Sequence, residues 1–203
     1  LLHHLMNGDL KNAYELAIRE AKEKTPITSA FLQTLNATLM HSTGGIHSVM
    51  GGSFDSSKGE YRLCGVTAGI GGRSYMSYQK VPSMVTELCN YLQKRIATAS
   101  TIQEQYELSF NAHLNLVTIH PWVDGNGCAS RLLMNYIQFL YNLFPTKLFK
   151  EDRDEYILAL RQSQDEGSNQ SFLAFMAGQL RKSLSLEIER FDASQKKGFS
   201  FMF

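Results

Sequence analysis

The chain has 203 residues, 43% hydrophobic and 11% aromatic, which is enough apolar material to enclose a core. Lys and Arg number 20 against 19 Asp and Glu, so a net charge of +1 argues against a nucleic-acid surface driven by bulk charge. No apolar run reaches membrane-spanning length and no signal-peptide pattern opens the chain. Cys64, Cys89 and Cys128 are odd in number and lack metal spacing, so they read as reduced thiols of a cytoplasmic protein.

Helical periodicity dominates the chain order. Leu10, Ala13, Tyr14, Ala17, Ile18 and Ala21 recur at i, i+3, i+4 spacing with Lys and Glu between them. Lys24-Thr-Pro26 ends that helix, Ser29 starts the next (Phe31, Leu35, Leu39), and Gly44-Gly45 closes it. Residues 44–60 are rich in Gly and Ser without periodicity and read as loop. Tyr61–Thr67 reads as a strand, Gly69-Ile70-Gly71-Gly72 as a turn, and Ser74–Tyr78 as the return strand, a hairpin flap over about 60–80. The run Gly69-Ile-Gly71-Gly72-Arg73-Ser74 superficially resembles a nucleotide loop, but its final Gly is missing and no helix opens after it.

Helix resumes at Val81, with Val85, Leu88, Leu92 and Ile96 on one stripe. The next helix has two apolar faces. Leu108, Ala112, Leu116 and Ile119 form one, and Tyr106, Phe110, His113 and Val117 the other, which predicts burial on most sides. Ala129, Leu132, Leu133, Tyr136, Ile137 and Leu140 stripe a further helix. Two more run from about Glu151 to Glu166 and Asn169 to Phe191, the last with Phe172, Phe175, Met176, Leu180, Leu184 and Ile188 inward. The prediction is one all-α domain over residues 1–193, a mostly helical bundle with a small β-hairpin flap, followed by a mobile tail at 194–203.

The chemistry concentrates in residues 120–131. Pro121 disfavours the α conformation at His120, so the buried helix stops there and holds a potential base at a loop mouth. Asp124-Gly125 and Asn126-Gly127 force a tight turn. A new helix begins at about Gly127 or Cys128, and its unpaired N–H groups make a ready anion site. Arg131 lies one turn on, placed to fork onto a second phosphate. Asp124 is the loop's only carboxylate, and beside phosphates its natural role is to hold Mg²⁺. Singly, His120 reads as a cap, Asp-Gly-Asn-Gly as a turn and Arg131 as a surface ion. Together, at a helix start, they read as a phosphate grip with a base beside it.

His120, Pro121, Asp124, Gly125, Asn126, Gly127 and Arg131 closely resemble the Fic family signature His-Pro-Phe-x-Asp/Glu-Gly-Asn-Gly-Arg-x-x-Arg. The resemblance extends to Gly59-Glu-Tyr61-Arg62 and Val81-Pro82 around a family-like flap. It also takes in Leu132–Asn135, Asp152–Tyr156, Asp165-Glu-Gly167 and Phe172. It implies the Fic fold and a protein adenylyltransferase (AMPylation) activity, moving AMP from ATP to a Tyr, Thr or Ser hydroxyl of a target protein. His120 would be the general base and Asp124 the Mg²⁺ ligand. Gly125, Asn126, Gly127, position 128 and Arg131 would hold the nucleotide's phosphates. Ile70, Gly71, Gly72 and Arg73 of the flap would position the target by strand addition.

Two positions depart from the signature. Trp122 replaces Phe as an apolar anchor. Cys128 replaces the first Arg, and losing one charged hydrogen bond costs roughly 1.5–3 kcal/mol, or about 10- to 100-fold in rate. The alternatives are therefore transfer of UMP, phosphocholine or a phosphoryl group, or a weakened or non-catalytic nucleotide-binding module. Many relatives are inhibited by a Ser/Thr-x-x-x-Glu-Gly/Asn helix. Gln162–Gly167 has Gln where Ser or Thr is expected, so an inhibitory helix is expected ahead of Leu1, or else an antitoxin partner.

Overall fold

The computed structural model describes residues 2–67 and 72–198, with side chains from 5 to 67 and 72 to 194. Seven helices lie among the described residues: α1 (Leu2–Lys22), α2 (Ser29–Leu39), α3 (Val81–Ile96), α4 (Ile102–Ile119), α5 (Asn126–Leu140), α6 (Arg153–Glu166) and α7 (Gln170–Gly198). A two-stranded antiparallel sheet joins β1 (Ile46–Val49) to β2 (Gly52–Asp55). The chain divides into two compact units, Leu1–Leu143 and Phe144–Phe203. No described helix is long and apolar enough to cross a membrane.

In the first unit α4 and α5 pack along each other, α1 packs on α5, α2 packs on both α1 and α5, and α3 packs on α4. The buried line of α1 is Ala13, Ala17 and Ala21, whose small side chains let its backbone approach α5 closely. Leu10, on the predicted stripe, is exposed, and Ile18 is only partly covered. Thr28 caps α2 by accepting from the Phe31 N–H, and Thr101 with Glu104 forms a capping box on α4. As the two-faced pattern predicts, α4 buries Leu108, Phe110, Ala112, His113, Leu116, Val117 and Ile119.

The paired strands lie at 46–55, in the stretch that reads as loop. Each is four residues long and only Phe54 is buried, so the alternation is too short to register in the sequence. The limbs expected at 61–67 and 74–78 meet in one bridge, Thr67 with Ser74, beside a hydrogen bond from the Tyr75 N–H to the Val66 carbonyl (3.1 Å). A buried guanidinium explains the sparse pairing: Arg62 takes the carbonyls of Cys64 and Met76, so they are occupied by its side chain. Of the predicted flap residues, Ile70 and Gly71 fall outside the described residues. Gly72 is half-buried and Arg73 exposed.

In the second unit α7 packs on α6. Phe172, Met176, Gln179 and Ser183 form its buried line, while Leu184 and Ile188, predicted inward, are exposed. The reason is length: α6 has 14 residues and α7 has 29, so α7 outlasts what α6 can cover. Gln179 and Lys182 both donate to the Asp152 carboxylate (2.8 Å each), fixing the turn before α6. Helix α7 runs on to Gly198, through part of the predicted tail. Residues 199–203 lie outside the described residues.

Candidate active site

Burial of α4 on two faces fixes its axis, and the helix ends where Pro121 forbids its continuation. His120 is the C-cap, left-handed at φ 54°, with its N–H donating to the Leu116 carbonyl (3.0 Å). This conformation swings the imidazole off the helix axis. Nδ1 lies 3.3 Å from the Val117 carbonyl, which favours the tautomer carrying its proton on Nδ1 and leaves the Nε2 lone pair free to accept one. The Tyr75 ring stacks on the imidazole, centroids 3.7 Å apart and 16° from parallel. Burial, reinforced by the Arg62 charge and opposed by the Val117 and Asp124 interactions, pushes His120 down to about 4. The ring is therefore neutral throughout the neutral pH range.

The loop after His120 is fastened from behind. Trp122 is fully buried, its indole Nε1–H donating to the Gly59 carbonyl (2.9 Å). Asn126 closes a ring with it: the Trp122 N–H donates to Asn126 Oδ1 (3.0 Å), and Asn126 Nδ2 donates to the Trp122 carbonyl (2.9 Å). Asn126 is thus spent on shaping the loop. Gly125 is left-handed at φ 80°, and a Cβ there would meet Asn36 Nδ2 at 2.6 Å. Asn36 also donates to the Asp124 carbonyl (3.4 Å). Glycine at 125 is required both by conformation and by this close approach.

Helix α5 starts at Asn126, one residue earlier than the sequence suggests, with Gly125 as its N-cap. The Ala129 N–H donates back to the Gly125 carbonyl (2.8 Å), so residues 126–128 carry the N–H groups without an intrahelical acceptor. These, with the positive end of the helix, are the groups that favour an anion at a helix start. Arg131 folds back over it: Nη2 lies 3.1 Å from Cys128 Sγ, and Nη1 lies 3.4 Å from where a Cβ on Gly127 would be. Asp124 is exposed, its Oδ1 accepting from the Gly125 N–H (2.7 Å). Among the described residues no three His, Cys, Asp or Glu side chains converge to hold a metal. A cation here would rest on Asp124, phosphate oxygens and water, the usual coordination of Mg²⁺, and one exposed carboxylate beside an anion site fits that need.

The structure thus brings His120, Asp124, Gly125, Asn126, Gly127, Cys128 and Arg131 into one loop and helix start. Three residues outside the predicted site also shape it: Asn36, Arg62, which the sequence placed only in the family-like flap, and Tyr75, which it placed only on the return strand. Asn36 carried a signal, a polar residue within the apolar stripe Leu32, Leu35, Leu39. Arg62 and Tyr75 sit at the two ends of the flap, and nothing in a linear reading shows that they converge on His120.

A model of the Fic/DOC family matches residues 26–138, more than half of the 203 residues. The chain belongs to the Fic/DOC family. Proteins named protein adenylyltransferase Fic from Drosophila mojavensis and Drosophila melanogaster are each 41% identical to this Fic/DOC chain over 75 residues, 37% of its length. The matched stretch covers only 15% of each relative. Among solved structures, a Fic domain containing signalling protein from Bacteroides thetaiotaomicron shares the fold (TM-score 0.77, 24% identity, 97% of this chain and 74% of that one). Fic-1 from C. elegans, residues 134–508, does so over 90% of this chain and 51% of that one (TM-score 0.67, 20% identity). BepC from Bartonella tribocorum, solved with bound AMPPNP, matches over 86% and 84% (TM-score 0.59, 17% identity).

One buried and one half-buried imidazole, His113 and His120, should give this chain an acid weakness. Burial pushes His113 down to about 3 and His120 to about 4, whereas both titrate near 6.5 once unfolded. Below pH 6.5 the unfolded chain binds more protons than the folded one. The stability associated with the neutral rings is complete above that pH and is lost as pH falls toward 4. His113 alone removes about 2 kcal/mol by pH 5, before most carboxylates titrate. Urea unfolding midpoints at pH 7, 6 and 5 check this. They should fall steadily in the wild type and more gently in His113→Gln, and a flat wild-type series would contradict it.

Proposed function

We propose that this chain is a protein adenylyltransferase acting on a Tyr, Thr or Ser hydroxyl of a target protein. The observation that carries the proposal is geometric. A neutral imidazole with a free Nε2 stands at the end of a buried helix, four residues before a carboxylate and a helix start able to bind phosphates. Its similarity to proteins named protein adenylyltransferase Fic supports the choice of AMP, as does the fold it shares with the AMPPNP-bound BepC.

In this reading ATP lies with its phosphates on the N–H groups of 126–128, and Arg131 faces the terminal phosphates. The acceptor hydroxyl approaches His120, which takes its proton on Nε2. The oxygen bonds to the α-phosphorus, the bond from that phosphorus to the bridging oxygen breaks, and pyrophosphate leaves with those electrons. Asp124 would hold Mg²⁺, which when bound neutralises charge on the α- and β-phosphates. Most of the acceleration comes from holding the reactants in line beside fixed positive dipoles.

Cys128 favours a second reading, a weakened enzyme or a nucleotide-binding module. Where the signature has its first Arg, this chain offers a thiol in contact with Arg131, so one guanidinium stands in place of two. Incubation of the purified chain with α-labelled ATP, Mg²⁺ and cell lysate tests the main reading, with competition by unlabelled UTP separating AMP from UMP transfer. Cys128→Arg should raise labelling about 10- to 100-fold. Label in neither protein, with nucleotide binding intact by calorimetry, would favour the module.

A further inference from the structure

We infer that Arg62 is a positioning residue that fastens the two described limbs of the flap, at Cys64 and Met76, to the His120 loop, so that these limbs and the base move as one body. The inference deepens the transferase reading and rests on it for its catalytic meaning, though not for its geometry.

Arg62 is fully buried, and its guanidinium is spread over three carbonyls from three segments. Nε donates to the His120 carbonyl (2.8 Å), Nη1 to the Cys64 carbonyl (2.8 Å) and Nη2 to the Met76 carbonyl (2.7 Å). Its backbone N–H donates to the Pro121 carbonyl (3.0 Å). Cys64 lies on the limb entering the flap, Met76 on the limb leaving it, and His120-Pro121 on the signature loop. All the side-chain bonds are short and charge-assisted, and a planar fork is needed to reach three acceptors at once. Lysine at 62 keeps the charge but presents a single compact head.

Tyr75 completes the link. It directly precedes Met76, and its ring lies on the His120 imidazole. The Met76 carbonyl that Arg62 holds therefore sets where the Tyr75 ring sits, and that ring sets one face of the base. The grip on phosphates, made by the start of α5 and Arg131, has no part in this hub. Loss of the hub should affect the acceptor side and the placement of the base while nucleotide affinity stays.

The test uses the full chain as wild type, Arg62→Lys and Tyr75→Leu. In the wild type, the Arg62 Nε–H and the Tyr75 N–H should show the same protection against hydrogen exchange to within about tenfold, because one opening exposes both. In Arg62→Lys the Tyr75 amide should exchange about 10- to 100-fold faster, with the amides of α4 and α5 unchanged. The His120 ring-proton resonances should lose the ring-current displacement due to Tyr75 in both variants. Calorimetry with ATP and Mg²⁺ should give wild-type affinity in both, while AMP transfer falls at least about tenfold. A folded Arg62→Lys with wild-type Tyr75 exchange and wild-type His120 resonances overturns the inference. If that variant does not fold, unequal protection of the two wild-type protons overturns it instead. None of the exchange or resonance readings needs nucleotide, so a wild type that transfers no AMP would defeat the transferase reading and leave this one standing.

Discussion

His120→Asn should lower AMP transfer by about 10²–10⁴-fold, the usual contribution of a general base, while leaving ATP affinity and thermal stability close to wild type. Asparagine is the apt replacement because position 120 is left-handed at φ 54°, a conformation Asn tolerates better than Ala. The side-chain amide has no nitrogen lone pair able to take a proton near neutral pH, so only the proton transfer is removed. The pH profile adds a second reading. Burial holds His120 near 4, so kcat/KM of the wild type should be level from pH 8 to about 5 and decline below that as the ring becomes charged. The sign follows from the role: a base must be neutral to act, and acid removes it. In His120→Asn that acid limb should vanish. Initial rates of label incorporation from α-labelled ATP across this range check both points. A variant within threefold of wild type, with the acid limb retained, would remove His120 from the mechanism.

Trp122→Ala should cost about 4–6 kcal/mol of stability, the sum of roughly 3–5 for a large buried aromatic and about 1 for the hydrogen bond lost to the Gly59 carbonyl. The indole is completely enclosed, and it ties the signature loop to Gly59 at the start of the flap. Trp122→Phe separates the two contributions. It keeps most of the apolar body and loses the Nε1–H, so it should cost about 1 kcal/mol through the unpaired carbonyl plus a smaller packing loss. Trp122 is the chain's one tryptophan, so unfolding is followed by circular dichroism in urea rather than by fluorescence. Trp122→Ala within 1 kcal/mol of wild type would mean the loop is held by other means, Asn126 foremost.

The helices were legible because their burial follows a 3.6-residue period. The two apolar faces of α4 predicted a central helix, and Pro121 placed its end. The loop 120–131 was legible for a different reason: its constraints are local. A left-handed glycine, an Asn whose side chain closes two hydrogen bonds on Trp122 four residues back, and a helix start all act within a few residues. The exposed sheet at 46–55 was not legible, since four-residue strands with one buried side chain leave no periodic trace. Nor was the exposure of Leu184 and Ile188, because their apolar spacing does not tell where α6 ends beside them.

By itself, then, the sequence determined which residues form the helices, where α4 gives way to the loop, and which groups that loop presents: an imidazole, a carboxylate, a helix N-terminus and one guanidinium. Those follow from short-range backbone preference and from periodicity. Tertiary structure alone decided what surrounds them. It brought Asn36 against Gly125 across 89 residues, laid Tyr75 on His120 and sent the Arg62 fork to three carbonyls at once. Burial likewise depends on the packed core, and it is burial that makes His120 a neutral ring rather than a titrating one.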